Sequence, residues 1–170
     1  MQAWSEFYAV IGSAATTLLG LLFVAVSINA TAILNEAHGN SQRLAEQAFQ
    51  NFLAVMLVSL FALFPSLSIS EFSFVTLGVT GISAFWVLVR LYLALVKPHE
   101  AGLRRQSLRR LATSLVGFGM MIFAALRMAL NLDDSRNLLA ASTVVLLISA
   151  TAVSWELLLR IARVKQSGPG

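Results

Sequence analysis

Five long stretches of this chain carry no charged residue: Phe7–Asn35, Gln47–Ser70, Phe72–Val89, Leu111–Leu126 and Asn137–Trp155. A helix crosses about 30 Å of hydrocarbon with about 20 mostly apolar residues, so each stretch, with a few flanking residues, predicts a membrane-spanning helix. The predicted spans are 7–34, 43–64, 72–96, 108–131 and 136–161. Together they predict an all-α bundle of five transmembrane helices forming a single transmembrane domain over 1–166, with 167–170 as a disordered tail. The second span has a capping start at Asn40-Ser41 and an end at Pro65, because the residue before a proline is biased out of the helical region. The linking segment from Pro65 to Glu71 is itself fairly apolar. A four-span alternative, with 47–96 as one re-entrant unit plus one span, therefore stands beside the five-span reading.

Composition removes the soluble alternatives. The 170 residues are 58% hydrophobic and 12% charged, with a mean hydropathy of +0.79. Average chains carry about 25% charged residues, which a soluble domain of this size needs to cover its surface. The formal charge of +4 speaks first to membrane orientation. Nucleic-acid binding would need a basic face interleaved with stacking aromatics on a soluble module, and none is present.

Basic residues near span ends favour the cytoplasmic side. With five crossings, one face collects Arg43, Lys97, Arg104, Arg105, Arg109, Arg110, Arg160, Arg163 and Lys165, whereas the other collects Arg136 and Arg127. An even number of crossings would blur that asymmetry. The expected topology places the N-terminus outside and the C-terminus in the cytoplasm. Trp4 and Tyr8 then fall at the outer interface, and Trp86, Tyr92 and Trp155 near the inner one, as interfacial anchors do.

Three sets of residues are candidates for function. The first span is unusual in its small and polar residues: Gly12, Ser13, Thr16, Thr17, Gly20, Ser27, Asn29 and Thr31. Residues four apart share a helix face, and small ones let helix backbones approach closely in lipid. This ladder predicts helix packing, within the protomer or between protomers, or a neutral pore lined by hydroxyl and amide groups. The second set is the ionisable residues inside spans, Arg90, Glu156 and Arg127, which are costly in hydrocarbon unless paired. Similar depth suggests that Arg90 pairs with Glu156, which could instead pair with Arg160 at i,i+4; acidic residues at the outer end are the expected partners of Arg127. The third is the basic loop between the third and fourth spans, with Arg104, Arg105, Arg109 and Arg110. It is the ordinary positive-inside loop or a site for anionic lipid headgroups or an acidic partner surface.

Other chemistry has no residues to carry it. Cysteine is absent, and His38 and His99 lie outside the spans and away from acids at ligand spacing, so no metal or cofactor site is expected. There is no Gly-x-Ser-x-Gly elbow, no histidine in a span to activate a serine, and no phosphate-cradling glycine loop followed by lysine. The expectation is a protein that is not an enzyme.

The run from Trp4 to Asn29, W-x-x-F-Y-x-x-x-G-x-A-A-x-x-L-x-G-L-x-F-V-A-x-S-I-N, resembles the opening of a family of small bacterial integral membrane proteins. Some of its members are labelled modulators of the FtsH membrane protease. The resemblance covers about the first 30 residues and implies a bacterial inner (cytoplasmic) membrane location, with no catalytic residue. The functional expectation is a homo-oligomeric channel or pore-like assembly organised around the first span. The alternative is a regulatory or scaffold subunit that holds a membrane or cytoplasmic partner on its basic inner face. Expected partners are thus the lipid bilayer, anionic lipids included, further copies of the chain, and an ion or protein of unspecified kind.

Overall fold

The computed structural model describes the backbone of residues 2–34, 40–96, 101–130, 132 and 135–166, and the side chains of 4–31, 33–34, 41–93, 111–130, 132 and 135–163. The regular structure among them is helical: α1 (Gln2–Ile28), α2 (Ala30–Leu34), α3 (Asn40–Ala62), α4 (Ile69–Val96), α5 (Ala101–Ala129) and α6 (Ser135–Gln166). All but the short α2 are long and apolar enough to cross a membrane. The five predicted spans are present, and the four-span alternative is not, since α3 and α4 are separate full-length helices. The predicted tail at 167–170 lies outside the described residues.

Three boundaries differ from expectation for local reasons. The first span was expected to run unbroken to residue 34, but α1 ends at Ile28. There the Asn29 side-chain amide donates to the Ala25 carbonyl at 2.8 Å, and its backbone N–H turns to Val26 O at 3.2 Å. Asparagine competes in this way with the helix's own ladder. The third helix stops at Ala62, ahead of Pro65. Its last turn tightens, with the Leu63 N–H shared between Ser59 O and Leu60 O at 3.2 Å each. The fifth helix begins at Ala101, a full two turns earlier than predicted. Arg104, Arg105, Arg109 and Arg110 were expected in a loop and stand instead on helical backbone; arginine is among the better helix formers.

A reciprocal cap starts α4. The Ser68 Oγ and backbone N–H both donate to Glu71 Oε2, at 2.7 and 2.8 Å, while the Glu71 N–H returns to Ser68 Oγ at 3.3 Å. This is the Ser-x-x-Glu capping box, and it satisfies donors that a helix start would otherwise leave unpaired.

The helix at the centre is α3. It packs broadly on α1 and α6 and, through its polar side chains, reaches α4 and α5. With α4, α5 and α6 it forms a four-helix bundle, and α1 lies outside that bundle against α3. Of the α1 span 17% is buried, against 56% for α3, so the first span is the periphery of the protomer. The helices alternate in direction. Glu46 near the start of α3 meets Arg90 late in α4, and Gln47 and Asn51 further along α3 meet Ser114 halfway along α5.

Two apolar clusters fill the bundle. One joins Tyr8 and Ala15 of α1 to Val55, Val58, Val87, Phe118, Met121 and Leu146. The other, towards the basic end, gathers Leu22, Ile33, Leu44, Phe52, Ala150 and Leu157. Phe23, Phe74, Ile82, Phe85, Trp86 and Ile148 point outward, more than half exposed, while Asn51, Ser114, Thr80 and Ser142 are fully enclosed. Bulky apolar groups outside with small polar groups inside is the distribution a hydrocarbon surrounding favours, since exposed apolar patches of this extent are unusual in water. Hydroxyls close onto their own helices, as Thr80 Oγ1 does to Thr76 O at 2.6 Å and Ser83 Oγ to Val79 O at 2.9 Å.

Candidate functional site

The small residues of α1 divide between two faces. Tyr8, Gly12, Ala15 and Leu22 are buried, and α3 is the principal neighbour of α1. Ser13, Thr17, Gly20, Val24, Ser27 and Thr31 are all exposed. From Ser13 to Ser27 they follow one another at alternating steps of four and three, which keeps them on a single face of α1 roughly opposite the buried one, while Thr31 lies on α2 beyond the break at Asn29. The predicted Gly12–Thr16–Gly20 ladder is therefore not one surface. Gly12 packs against Ser59, Thr16 is exposed with its hydroxyl bonded to Gly12 O at 2.8 Å, and Gly20 has nothing within 4 Å of where a Cβ would be. Asn29 is half-buried; its Nδ2 is spent on the Ala25 carbonyl of α1, and its Oδ1 is buried with no partner among the described residues.

From Ser13 to Ser27 that outward face is neutral but not apolar, and Glu6, seven residues before Ser13, stands exposed on the same stripe. Thr17 Oγ1 donates its proton to Ser13 O at 2.9 Å, leaving its oxygen lone pairs directed outward as acceptors. Ser13 and Ser27 add two more hydroxyls along the same line, over a length of about 21 Å from Ser13 to Ser27 by helical rise.

The expected pairing of Arg90 with Glu156 is replaced by another. Arg90 Nη2 meets Glu46 Oε2 at 3.3 Å, joining α4 to α3. Depth alone admitted either carboxylate, and α3 supplies the nearer one; Glu156 sits half-buried on α6. The Arg127 guanidinium lies over the Phe123 ring at 5.9 Å, one turn back on α5. The side chains of Arg104, Arg105, Arg109 and Arg110 fall outside the described residues.

Sequence reading missed the polar line inside the bundle. Gln47 Nε2 and Asn51 Nδ2 both donate to Ser114 Oγ, at 3.0 and 2.9 Å, and Ser114 and Thr113 each approach Ser149 Oγ at 3.5 Å. Next to it, Gln50 Nε2 donates to the Ser83 carbonyl at 2.9 Å. Three amides within five residues of a span were the available signal, because amides in membrane helices turn towards other helices. Their proximity to the start of α3 disguised them as a polar flank.

These features define an all-helical chain with five helices able to span a membrane, a polar seam facing outward and a hydrogen-bonded line within. Comparison with protein-family models, curated proteins and solved structures returns no match.

Proposed function

We propose that the chain is a bacterial inner-membrane protein that self-associates through the outward face of α1 to form a neutral, channel-like homo-oligomer. The N-terminus lies outside and the basic end in the cytoplasm, following the distribution of arginine and lysine. The observation that carries this reading is the exposed seam of Ser13, Thr17, Gly20 and Ser27 on the least buried span. A helix that faced only lipid would have no use for hydroxyls and glycine there, whereas small residues permit close helix contact and hydroxyls offer water or an ion a polar wall. From Ser13 to Ser27 this face carries no charge, so this stretch of a passage selects by size and hydroxyl contact, with the exposed Glu6 on the same stripe nearer the N-terminus. The reading involves no cofactor and no catalytic step.

The absence of cysteine makes the test clean. Gly20→Cys and Ser27→Cys should form disulfide-linked dimers in the membrane, while Ile82→Cys on the outer face of α4 should not. Reconstituted protein should then conduct small ions with little charge preference. Equal cross-linking at all three positions, or a monomer without conductance, sinks the proposal. A reporter fused at Gly168 that is active only outside the membrane would overturn the orientation.

A second reading, a scaffold subunit, draws on the helical start of α5. Continuous helix through Arg104, Arg105, Arg109 and Arg110 would offer an ordered basic surface to a cytoplasmic partner or to anionic headgroups. It predicts a monomer or dimer without conductance, which the oligomer size in detergent and the conductance measurement separate from the first reading.

A further inference from the structure

On the flank of the bundle, α1 and α4 stand on either side of α3 and leave a cleft of about 580 Å³ between them, within the range of about 300–1,000 Å³ common to small-molecule sites. Phe23 and Val26 of α1, Phe49 and Leu53 of α3, and Ile82 and Trp86 of α4 give it apolar walls. Phe23, Phe49, Ile82 and Trp86 are all exposed, so the cleft opens sideways, towards lipid in a membrane. From Glu46 to Leu53 it follows α3 for about 10 Å, roughly a third of the hydrocarbon thickness. An acyl segment fits such a wall.

One end is polar, and its hydrogen bonding is incomplete. Both oxygens of Glu46 are engaged: Oε2 with Arg90 Nη2 at 3.3 Å and Oε1 with Gln42 Nε2 at 3.0 Å. That leaves Arg90 Nη1, a buried cationic donor with no hydrogen-bond partner among the described residues. Gln50 has its Nε2 committed to Ser83 O at 2.9 Å, and its Oε1 is likewise buried with no partner. Buried polar atoms of this kind are uncommon and carry a desolvation penalty until something bonds them. Arg90 and Glu46 cancel in charge. Arg43, exposed three residues before Glu46 on the same side of α3, tips the mouth of the cleft to one net positive charge.

We propose that this cleft holds an anionic phospholipid. Its acyl chain lies between α1 and α4, and its phosphate meets the Arg90 guanidinium, whose side chain is 28% exposed. A zwitterionic choline lipid brings its cation towards Arg43 and Arg90. The site is independent of self-association through α1, whose polar seam is on another face.

Trp86 in the cleft wall reports occupancy. In a Trp4→Phe, Trp155→Phe background it is the sole tryptophan. The full chain is reconstituted in phosphatidylcholine vesicles containing increasing brominated-chain phosphatidylglycerol, with brominated phosphatidylcholine in a parallel series, and quenching of Trp86 gives the relative association constants. Phosphatidylglycerol should be preferred about fivefold, the ratio that one cationic contact near a membrane surface provides. Arg90→Gln should bring the two lipids to near equality, and Glu46→Gln, which frees the whole guanidinium, should raise the preference. Ala45→Phe keeps every charge and fills the cleft, so it should also abolish the preference and serves if Arg90→Gln fails to fold. Equal quenching by both lipids in the parent protein overturns the proposal. So does a preference that survives both Arg90→Gln and Ala45→Phe, or one that vanishes only when Arg104 and Arg105 are neutralised.

Discussion

Gly12 of α1 and Ser59 of α3 meet so closely that a Cβ on Gly12 would lie 3.0 Å from the Cβ of Ser59. The Ser59 Cβ is fixed to the α3 backbone and cannot rotate aside, so the contact sets the distance between the outer helix and the central one. Leucine at Gly12 should cost about 1–3 kcal/mol, the usual range for overpacking. Leucine at Gly20, where the space is open, should stay within about 0.5 kcal/mol. Thermal melts in detergent compare the two directly. Ser59→Gly removes the opposing Cβ and should recover part of the loss in a milder Gly12→Ala protein, while Ser59→Ala should recover none.

A second close approach joins α5 to α6. A Cβ at Gly117 would fall 2.6 Å from Leu146 Cδ2 and 2.8 Å from its Cγ, and Leu146 is completely buried. Leucine normally escapes such a clash by changing rotamer, but an enclosed side chain has nowhere to go. Gly117→Ala should therefore destabilise by about 1–3 kcal/mol. Leu146→Ala alone should cost about 2–5 kcal/mol through its cavity. The double variant should be more stable than the sum of the two losses implies, a coupling that a double-mutant cycle in chemical denaturation measures.

The spans were legible because charge cannot cross hydrocarbon cheaply, so five uncharged runs marked five crossings, with only the apolar link from Pro65 to Glu71 leaving a four-span alternative open. The faces were not. Gly12 and Gly20 are both multiples of four from Thr16, yet eight residues at 100° each leave them about 80° apart, enough to send one inward and the other out. Spacing reveals a stripe without saying which neighbour it meets. Arg90 shows the same gap: its depth in α4 was evident, but Glu46 and Glu156 were both near that depth, and the choice depended on which helix packs beside it. The capping box at Ser68 and Glu71 was readable as Ser-x-x-Glu and went unread because the segment was judged only as a connection.

That cap yields a prediction of its own. Ser68 Oγ both donates to Glu71 Oε2 and accepts from the Glu71 N–H, so Ser68→Ala removes these two bonds and leaves only the Ser68 backbone N–H on Glu71 Oε2. About 1 kcal/mol of stability should be lost, with the first turn of α4 exchanging its amide hydrogens faster than the helix centre. Glu71→Ala should act in the same direction and cost less in the Ser68→Ala background, where it removes one bond, than alone, where it removes two. Equal, independent losses would mean that the two side chains do not act as a unit.

The interior line makes the sharpest demand on the bundle, because Ser114 Oγ is the shared acceptor of two amides. Removing it by Ser114→Ala leaves Gln47 Nε2 without that bond and Asn51 Nδ2 enclosed at a site with no exposure. An unsatisfied buried donor costs about 1–3 kcal/mol, although in membrane bundles the net worth of one interhelical hydrogen bond averages nearer 0.6 kcal/mol. Ser114→Ala should consequently cost more than Asn51→Leu, which removes donor and need together and also discards the unpartnered Asn51 Oδ1. In the Asn51→Leu, Gln47→Leu background, Ser114→Ala should become nearly silent, since no amide then waits for its oxygen. The measurement is the melting temperature of the four proteins in one detergent. A Ser114→Ala loss of the same size in both backgrounds would show that the serine matters for its volume and not for the bonds it accepts.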